Sequence, residues 1–111
     1  MATDCVFCKI IAGEIPSQFL YQDDEMVAFP DIHPLTPVHI LIVPKKHIPS
    51  LLEMEPDEAT LLGHMYFVAK RLAKEKGIAE RGFRLVVNSG PEGGQVVPHL
   101  HMHLLGGKRL K

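Results

Sequence analysis

Apolar and polar positions alternate most strictly in the run His99, Leu100, His101, Met102, His103, Leu104, which Leu105 closes. A period of two residues is that of a β-strand. Residues i, i+2 and i+4 of a strand line one face at intervals of roughly 6.5–7 Å, so three imidazoles are expected to project together while Leu100, Met102 and Leu104 face the core. A single histidine on a half-buried strand would carry no weight. Three in register beside a glycine-rich loop point to chemistry.

The rest of the pattern supplies a frame for that strand. His39–Val43 is apolar on both faces except at His39 and ends at Pro44, which predicts a central strand. Phe83–Val87, closed by Asn88, predicts another. Gln18–Tyr21 and Met26–Phe29 flank the polar cluster Gln22–Glu25, a hairpin signal. Leu61, Met65, Val68 and Leu72 recur at helical spacing and form one apolar stripe. Pro56 suits the first helical position, Asp57 and Glu58 suit the positive end of the dipole, and Gly77 is a stop after Lys74 and Lys76. His64 lies beside the stripe and is expected on the helix surface with no catalytic part. A short helical turn is predicted over Val6–Ala12, before Gly13 and Pro16, and an irregular loop over Pro30–Pro37. About five strands, one long helix and one short one, connected by hairpins rather than βαβ crossovers, give an α+β class with an antiparallel sheet.

Composition narrows the function. A chain of 111 residues is expected to be a single domain, 1–111, with a core of its own. With 46% hydrophobic residues and a net charge of -1, it lacks a polyanion-binding signature. The basic residues Lys108, Arg109 and Lys111 are a solubilising cluster, so no nucleic-acid partner is expected. No apolar run is long enough for a membrane span, and the first residues lack the layout of a signal peptide, so no membrane partner and a cytoplasmic location are expected. In such a compartment the pair Cys5-x-x-Cys8 indicates metal or redox chemistry rather than a structural disulfide. No strand precedes Cys5, which places a thioredoxin-like role below zinc binding and below plain buried thiols.

Two mechanisms suit the histidines. They could hold a catalytic metal, since His-x-His on a strand is a zinc-binding geometry. Alternatively, His101 is a nucleophile, His103 donates a hydrogen bond to a phosphoryl oxygen, and the backbone of Gly93, Gly94 and Gln95 cradles the anion. The loop Ser89–Gln95 is not a P-loop, because the Lys-Ser/Thr ending is absent. Spacing does not choose between the two mechanisms. His39 alone is usually structural, and Lys45-Lys46 is a solvated charge pair.

The string His99-Leu100-His101-Met102-His103-Leu104-Leu105 resembles the signature of the histidine triad (HIT) superfamily. The residues Cys5 to Pro16, Asp31-Ile32, His39 to His47, Val86 to Asn88 and Gly93-Gly94-Gln95 resemble its nucleotide-binding branch, HINT, over nearly the whole chain. The resemblance implies a HIT-like fold that dimerises, and a purine nucleoside phosphoramidase or nucleotidyl hydrolase cleaving at the α-phosphate, with AMP-lysine or adenosine phosphoramidate as examples. It implies that His101 is the nucleophile of a covalent nucleotidyl-histidine intermediate, with His103 on a phosphate oxygen and His39 beside the nucleophile. Asp31 and Ile32 would meet the ribose and base, and Asn88, Gly94, Gln95 and Val96 the phosphate. Members with a Cys-x-x-Cys opening bind structural zinc, which implies the ligands Cys5, Cys8, His47 and His99 and chemistry that needs no metal. His99 thus has an anchoring part within the triad. The implied partners are purine nucleotides such as AMP and GMP and a second copy of the chain. One departure is Val96, where the HINT branch commonly has serine, so a hydroxyl expected to assist the leaving group is missing. Hydrolysis of dinucleoside polyphosphates, or a zinc-stabilised nucleotide-binding module with little turnover, are the alternative functions.

Overall fold

The computed structural model describes residues 4–111. Its helices are α1 (Val6–Ile11) and α2 (Ala59–Glu75), and its strands are β1 (Tyr21–Gln22), β2 (Met26–Pro30), β3 (Val38–Pro44), β4 (Phe83–Val86) and β5 (Met102–Gly106). The strands form one antiparallel sheet in the order β1-β2-β3-β5-β4. The α+β class, with five strands, one long helix and one short one, is as the hydrophobic pattern predicts. Among the described residues no helix is long and apolar enough to cross a membrane.

Helix α2 forms where its stripe can be buried. Met65, Val68, Ala69, Leu72 and Ala73 pack on one face of the sheet against Met26, Ala28, Ile40, Ile42, Met102 and Leu104. Deleting a side chain such as Leu72 from this layer would cost about 2–5 kcal/mol. The helix starts later than the sequence suggests, because the turn Pro56–Glu58 is 3₁₀ and the α ladder begins at Ala59. It ends as expected. Gly77 takes φ 73°, its N–H bonds the Lys74 carbonyl at 3.1 Å, and the Ile78 N–H bonds the Ala73 carbonyl at 3.0 Å. This left-handed stop turns the buried Ile78 into the core below the last turn.

The opposite face of the sheet carries a second cluster, in which Cys5 and Phe7 from around α1 pack on Val27, Phe29, Leu41 and Val43. Alternation along β3 therefore sends Ile40 and Ile42 to the α2 side, and Leu41 and Val43 to the α1 side. The expected histidine strand is shorter than its pattern. Its ladder begins at Met102, opposite Ile42, and His99–His101 lie outside it. Further pairing would run alongside Pro44, which has no N–H to give, and Leu100 instead bonds the Ile48 carbonyl at 2.7 Å. A 3₁₀ turn at Leu51–Glu53, unannounced by any periodic signal, follows that crossing.

His64 has a structural part that its surface position did not reveal. Its Nε2 lies 2.8 Å from Asp23 and its Nδ1 2.8 Å from Glu25, which ties α2 to the β1–β2 turn. Burial alone would raise the Asp23 pKa, but the Tyr21 hydroxyl at 2.6 Å and the amides of Glu25 and Met26 hold it down at about 2. The hydrogen bond that His64 donates to Glu25, and then the Asp23 charge, hold the His64 imidazole above the ordinary histidine range. Because that pKa is raised on folding, the stabilisation is complete below the unfolded-chain value and is lost as pH rises through the folded one. Urea titrations should therefore find His64→Gln less stable than the parent by about 0.5–1 kcal/mol at mildly acid pH, with the gap closing by mildly alkaline pH.

Candidate functional site

Four histidines share the face of the sheet opposite α2. Strand β3 brings His39 to that face, β5 brings His103, and the segment entering β5 brings His99 and His101. His99 is 0% and His101 6% exposed while His103 is half-buried, so the first two rings belong to a built interior and not to a wet strand face. The rings of His101 and His103 lie 5.0 Å apart, and those of His39 and His103 5.2 Å. Leu41 pairs with His103 across the ladder, which leaves His39 diagonal to it, within reach of a long side chain.

The hydrogen bonds fix which nitrogen of each ring carries a proton. The Leu35 N–H donates to His39 Nδ1 at 3.1 Å, so the proton of a neutral His39 is on Nε2. That Nε2–H is 2.9 Å from His103 Nδ1, with an Asp31 carboxylate oxygen 3.5 Å away. His103 therefore accepts through Nδ1 and carries its own proton on Nε2. His101 donates its Nδ1–H to the His99 carbonyl at 2.6 Å, which leaves Nε2 as a free lone pair. Burial is the main reason that all these rings are held below the ordinary histidine pKa, His99 and His103 down to about 4. At neutral pH the face thus presents one unprotonated nitrogen on His101 and one N–H donor on His103. That pair suits nucleophilic attack on a phosphoryl group. Asp31, His39 and His103 could by proximity also hold a metal, but the Leu35 N–H directs a proton toward that position and makes the group a hydrogen-bond relay.

The expected phosphate loop is built differently from its pattern. The amides of Gly93, Gly94 and Gln95 bond carbonyls of Gly90, Pro91 and Gly90 at 3.1, 3.1 and 3.0 Å, so they close the loop rather than open toward an anion. The Gln95 side chain braces it further, accepting from the Gly90 N–H at 2.9 Å and donating to the carbonyls of Pro49 and Val97. Among the described residues the next amide, that of Val96, has no backbone acceptor. Gly94 takes φ 88° and lies against Asn88, whose Nδ2 would stand 3.8 Å from any added Cβ. Val96 is 89% and Ile32 85% exposed, so both project apolar surface to solvent.

Cys5, Cys8, His47 and His99 converge as the resemblance implies, with one donor atom from each lying within 4.8 Å of all the others. His99 Nδ1 is 3.3 Å from Cys5 Sγ, 3.6 Å from Cys8 Sγ and 3.1 Å from His47 Nδ1, and Cys8 Sγ is 3.3 Å from His47 Nδ1. These are the separations of donors around a tetrahedral ion of ordinary bond lengths. His99 uses its Nε2 to reach the Pro44 carbonyl at 2.8 Å, the second bond that orients a metal-binding imidazole. The Cys8 N–H points at Cys5 Sγ at 3.4 Å, a contact that eases charge on a thiolate. Burial, and then Cys5, push the Cys8 thiol up to about 11, so a cation is what would favour its thiolate. The donor set fits a metal ion.

Sequence patterning missed three parts of this site. The Pro44 carbonyl and the Leu35 amide are backbone groups, which no side-chain pattern marks. Phe7 lies between the two cysteines, and its ring makes T-shaped contacts with those of His99 and His101 at 5.8 and 5.0 Å.

Known proteins resemble this chain in sequence and fold. The model of the family described as HIT domain matches residues 12–110. The purine nucleoside phosphoramidase of Escherichia coli strain K12 is 49% identical over 110 residues, covering 99% of this chain and 92% of that protein. Among solved structures, a histidine triad protein from Clostridium difficile superposes with a TM-score of 0.95 at 50% identity, over 98% of this chain and 95% of its own. A HIT family hydrolase from Legionella pneumophila does so with a TM-score of 0.94 at 45% identity, over 97% and 96%.

The donor set makes a direct prediction. Reduced, chelator-treated protein should take up one equivalent of cobalt(II) with a thiolate charge-transfer band, and Cys8→Ser should lose both the band and the tight uptake, checked by absorption titration.

Proposed function

The chain belongs to the HIT domain family, and we propose from that premise that it is a purine nucleoside phosphoramidase that hydrolyses substrates such as AMP-lysine or adenosine phosphoramidate at the α-phosphate. The observation that carries this proposal is the His101 ring, buried and donating its Nδ1–H to a carbonyl so that Nε2 keeps its lone pair. In the first step Nε2 attacks phosphorus, the P–N bond breaks and the amine leaves as it takes a proton from solvent water. In the second, water attacks the nucleotidyl-His101 adduct and releases AMP or GMP. His103, through Nε2–H, stabilises the charge that develops on a non-bridging oxygen, and His39 keeps that proton in place. Asn88 and the Val96 N–H meet the phosphate, held in place by the closed loop of Gly94 and Gln95 whose own amides are already bonded, while Asp31 and the exposed Ile32 meet the ribose and base.

Zinc is the ion proposed for Cys5, Cys8, His47 and His99. When bound it supplies a cross-link between α1 and the segment leading into β5, and the reaction needs no metal. We place the enzyme in the cytoplasm, as a single domain over 1–111 and without nucleic-acid or membrane partners. Homodimerisation is supported by two exposed features, the outer side of α2 with Tyr66 and Phe67, and the free edge at β4 with Phe83.

The isopropyl group of Val96, 89% exposed where relatives commonly place a hydroxyl, favours a second reading. Without that proton donor, the chain could act on dinucleoside polyphosphates, whose leaving group needs less help, or bind nucleotides with little turnover. Assays of AMP-lysine and of a diadenosine polyphosphate separate these functions. The phosphoramidate should be turned over faster, and His101→Ala should lower kcat by roughly 10³-fold or more while AMP still binds. Activity surviving that substitution would remove His101 as the nucleophile. Sedimentation should find a dimer, and Phe67→Asp should shift it to the monomer.

A further inference from the structure

His99 belongs to two sites at once. Its ring Nδ1 lies among Cys5, Cys8 and His47, and its main-chain carbonyl holds the Nδ1–H of His101 at 2.6 Å. One residue thus joins the metal-ligating cluster to the group that fixes the nucleophile's tautomer.

A second route runs from the same cluster. Phe7 is carried between the two cysteines on α1, is 5% exposed, and is backed by Phe29 with ring centroids 5.6 Å apart. Its ring and that of His101 meet at 5.0 Å and 89° in a T-shaped contact, so the phenyl ring is packed against the imidazole and blocks it from swinging toward α1. Helix α1 has six residues, too few to hold its own shape in water. What fixes it is its apolar contact with the sheet together with the converging side chains of Cys5 and Cys8. Release of the cysteines would loosen the element that carries Phe7 and, through His99, the carbonyl that holds the proton of His101.

We propose that Phe7 is a positioning residue for the nucleophile, and that ligation of Cys5, Cys8, His47 and His99 is transmitted to His101 through Phe7 and the His99 carbonyl. Metal occupancy then sets how well the nucleophile is presented, without the metal touching substrate. The proposal rests on His101 as nucleophile.

The test uses the full chain, labelled with ¹⁵N, as the stripped protein, the zinc-loaded protein and the zinc-loaded Phe7→Leu variant. Phe7→Leu keeps an apolar side chain and removes the aromatic ring. Long-range ¹H–¹⁵N spectra report the tautomer of His101, AMP titration reports binding, and adenosine phosphoramidate reports kcat and KM. The zinc-loaded parent should hold one tautomer, with the proton on Nδ1. Stripped protein and Phe7→Leu should show the two tautomers in exchange, and kcat reduced by roughly 10- to 100-fold with KM and the AMP Kd little changed. Metal content and amide dispersion of Phe7→Leu separate this result from unfolding, so the variant remains decisive even if the stripped protein unfolds. A single tautomer and an unaltered kcat in folded, zinc-loaded Phe7→Leu would overturn the proposal. If the tautomer shifts but phosphoramidate is not turned over, the coupling stands and the proposed substrate class fails.

Discussion

The pairing of β3 with β5 is the constraint on which the rest of the molecule depends. Its register places Ile40 opposite Leu104 and Ile42 opposite Met102, and these four side chains meet α2. The residues between them, His39, Leu41 and His103, are thereby sent to the other face. A slip of one residue would put imidazoles under the helix and leucines at the site. The apolar layer beneath α2 therefore specifies the chemistry above the sheet, although none of its side chains takes part in it.

Burial gives the histidines their character, and hydrogen bonds divide their tasks. Desolvation keeps all four triad-face imidazoles neutral, which alone would leave each ring free to choose its tautomer. The Leu35 amide and the His99 carbonyl remove that freedom from opposite ends. One end delivers a donor at His103 and the other a lone pair at His101. The site is an ordered set of neutral groups, and the carboxylate of Asp31 stands beside His39 Nε2.

Much of this was legible in the sequence because it is written in side chains with a period. The alternation at His99–Leu104 placed the three imidazoles on one face even though the ladder starts only at Met102, and the stripe from Leu61 to Leu72 located the long helix. The Cys-x-x-Cys pair announced a metal-ligating cluster, and only the resemblance to a family supplied His47 and His99. What stayed hidden belongs to the main chain or to ring geometry. Glycines at 93 and 94 look like an open anion nest, yet their amides are consumed in closing the loop. Pro44 ends a strand in sequence, and in space its carbonyl orients a histidine 55 residues later. His64 on a helix surface gives no sign of the two carboxylates that a distant hairpin turn brings to it.

The strand order has a consequence for how the protein becomes competent. β5 follows the other four strands in sequence and lies between β3 and β4, pairing with residues of β3 that precede it by 60 (Ile42 with Met102) to 68 positions (Val38 with Gly106). Closing contacts that far apart is entropically slow, and an interior strand of a sheet cannot be bypassed. The β1–β2–β3 meander can form early from local contacts, but β4 has no place in the sheet until β5 arrives. Because the same segment carries the triad, completion of the sheet and assembly of the site are one event. A partly folded chain therefore lacks the ordered histidine face, and catalytic competence is itself a report that folding has finished.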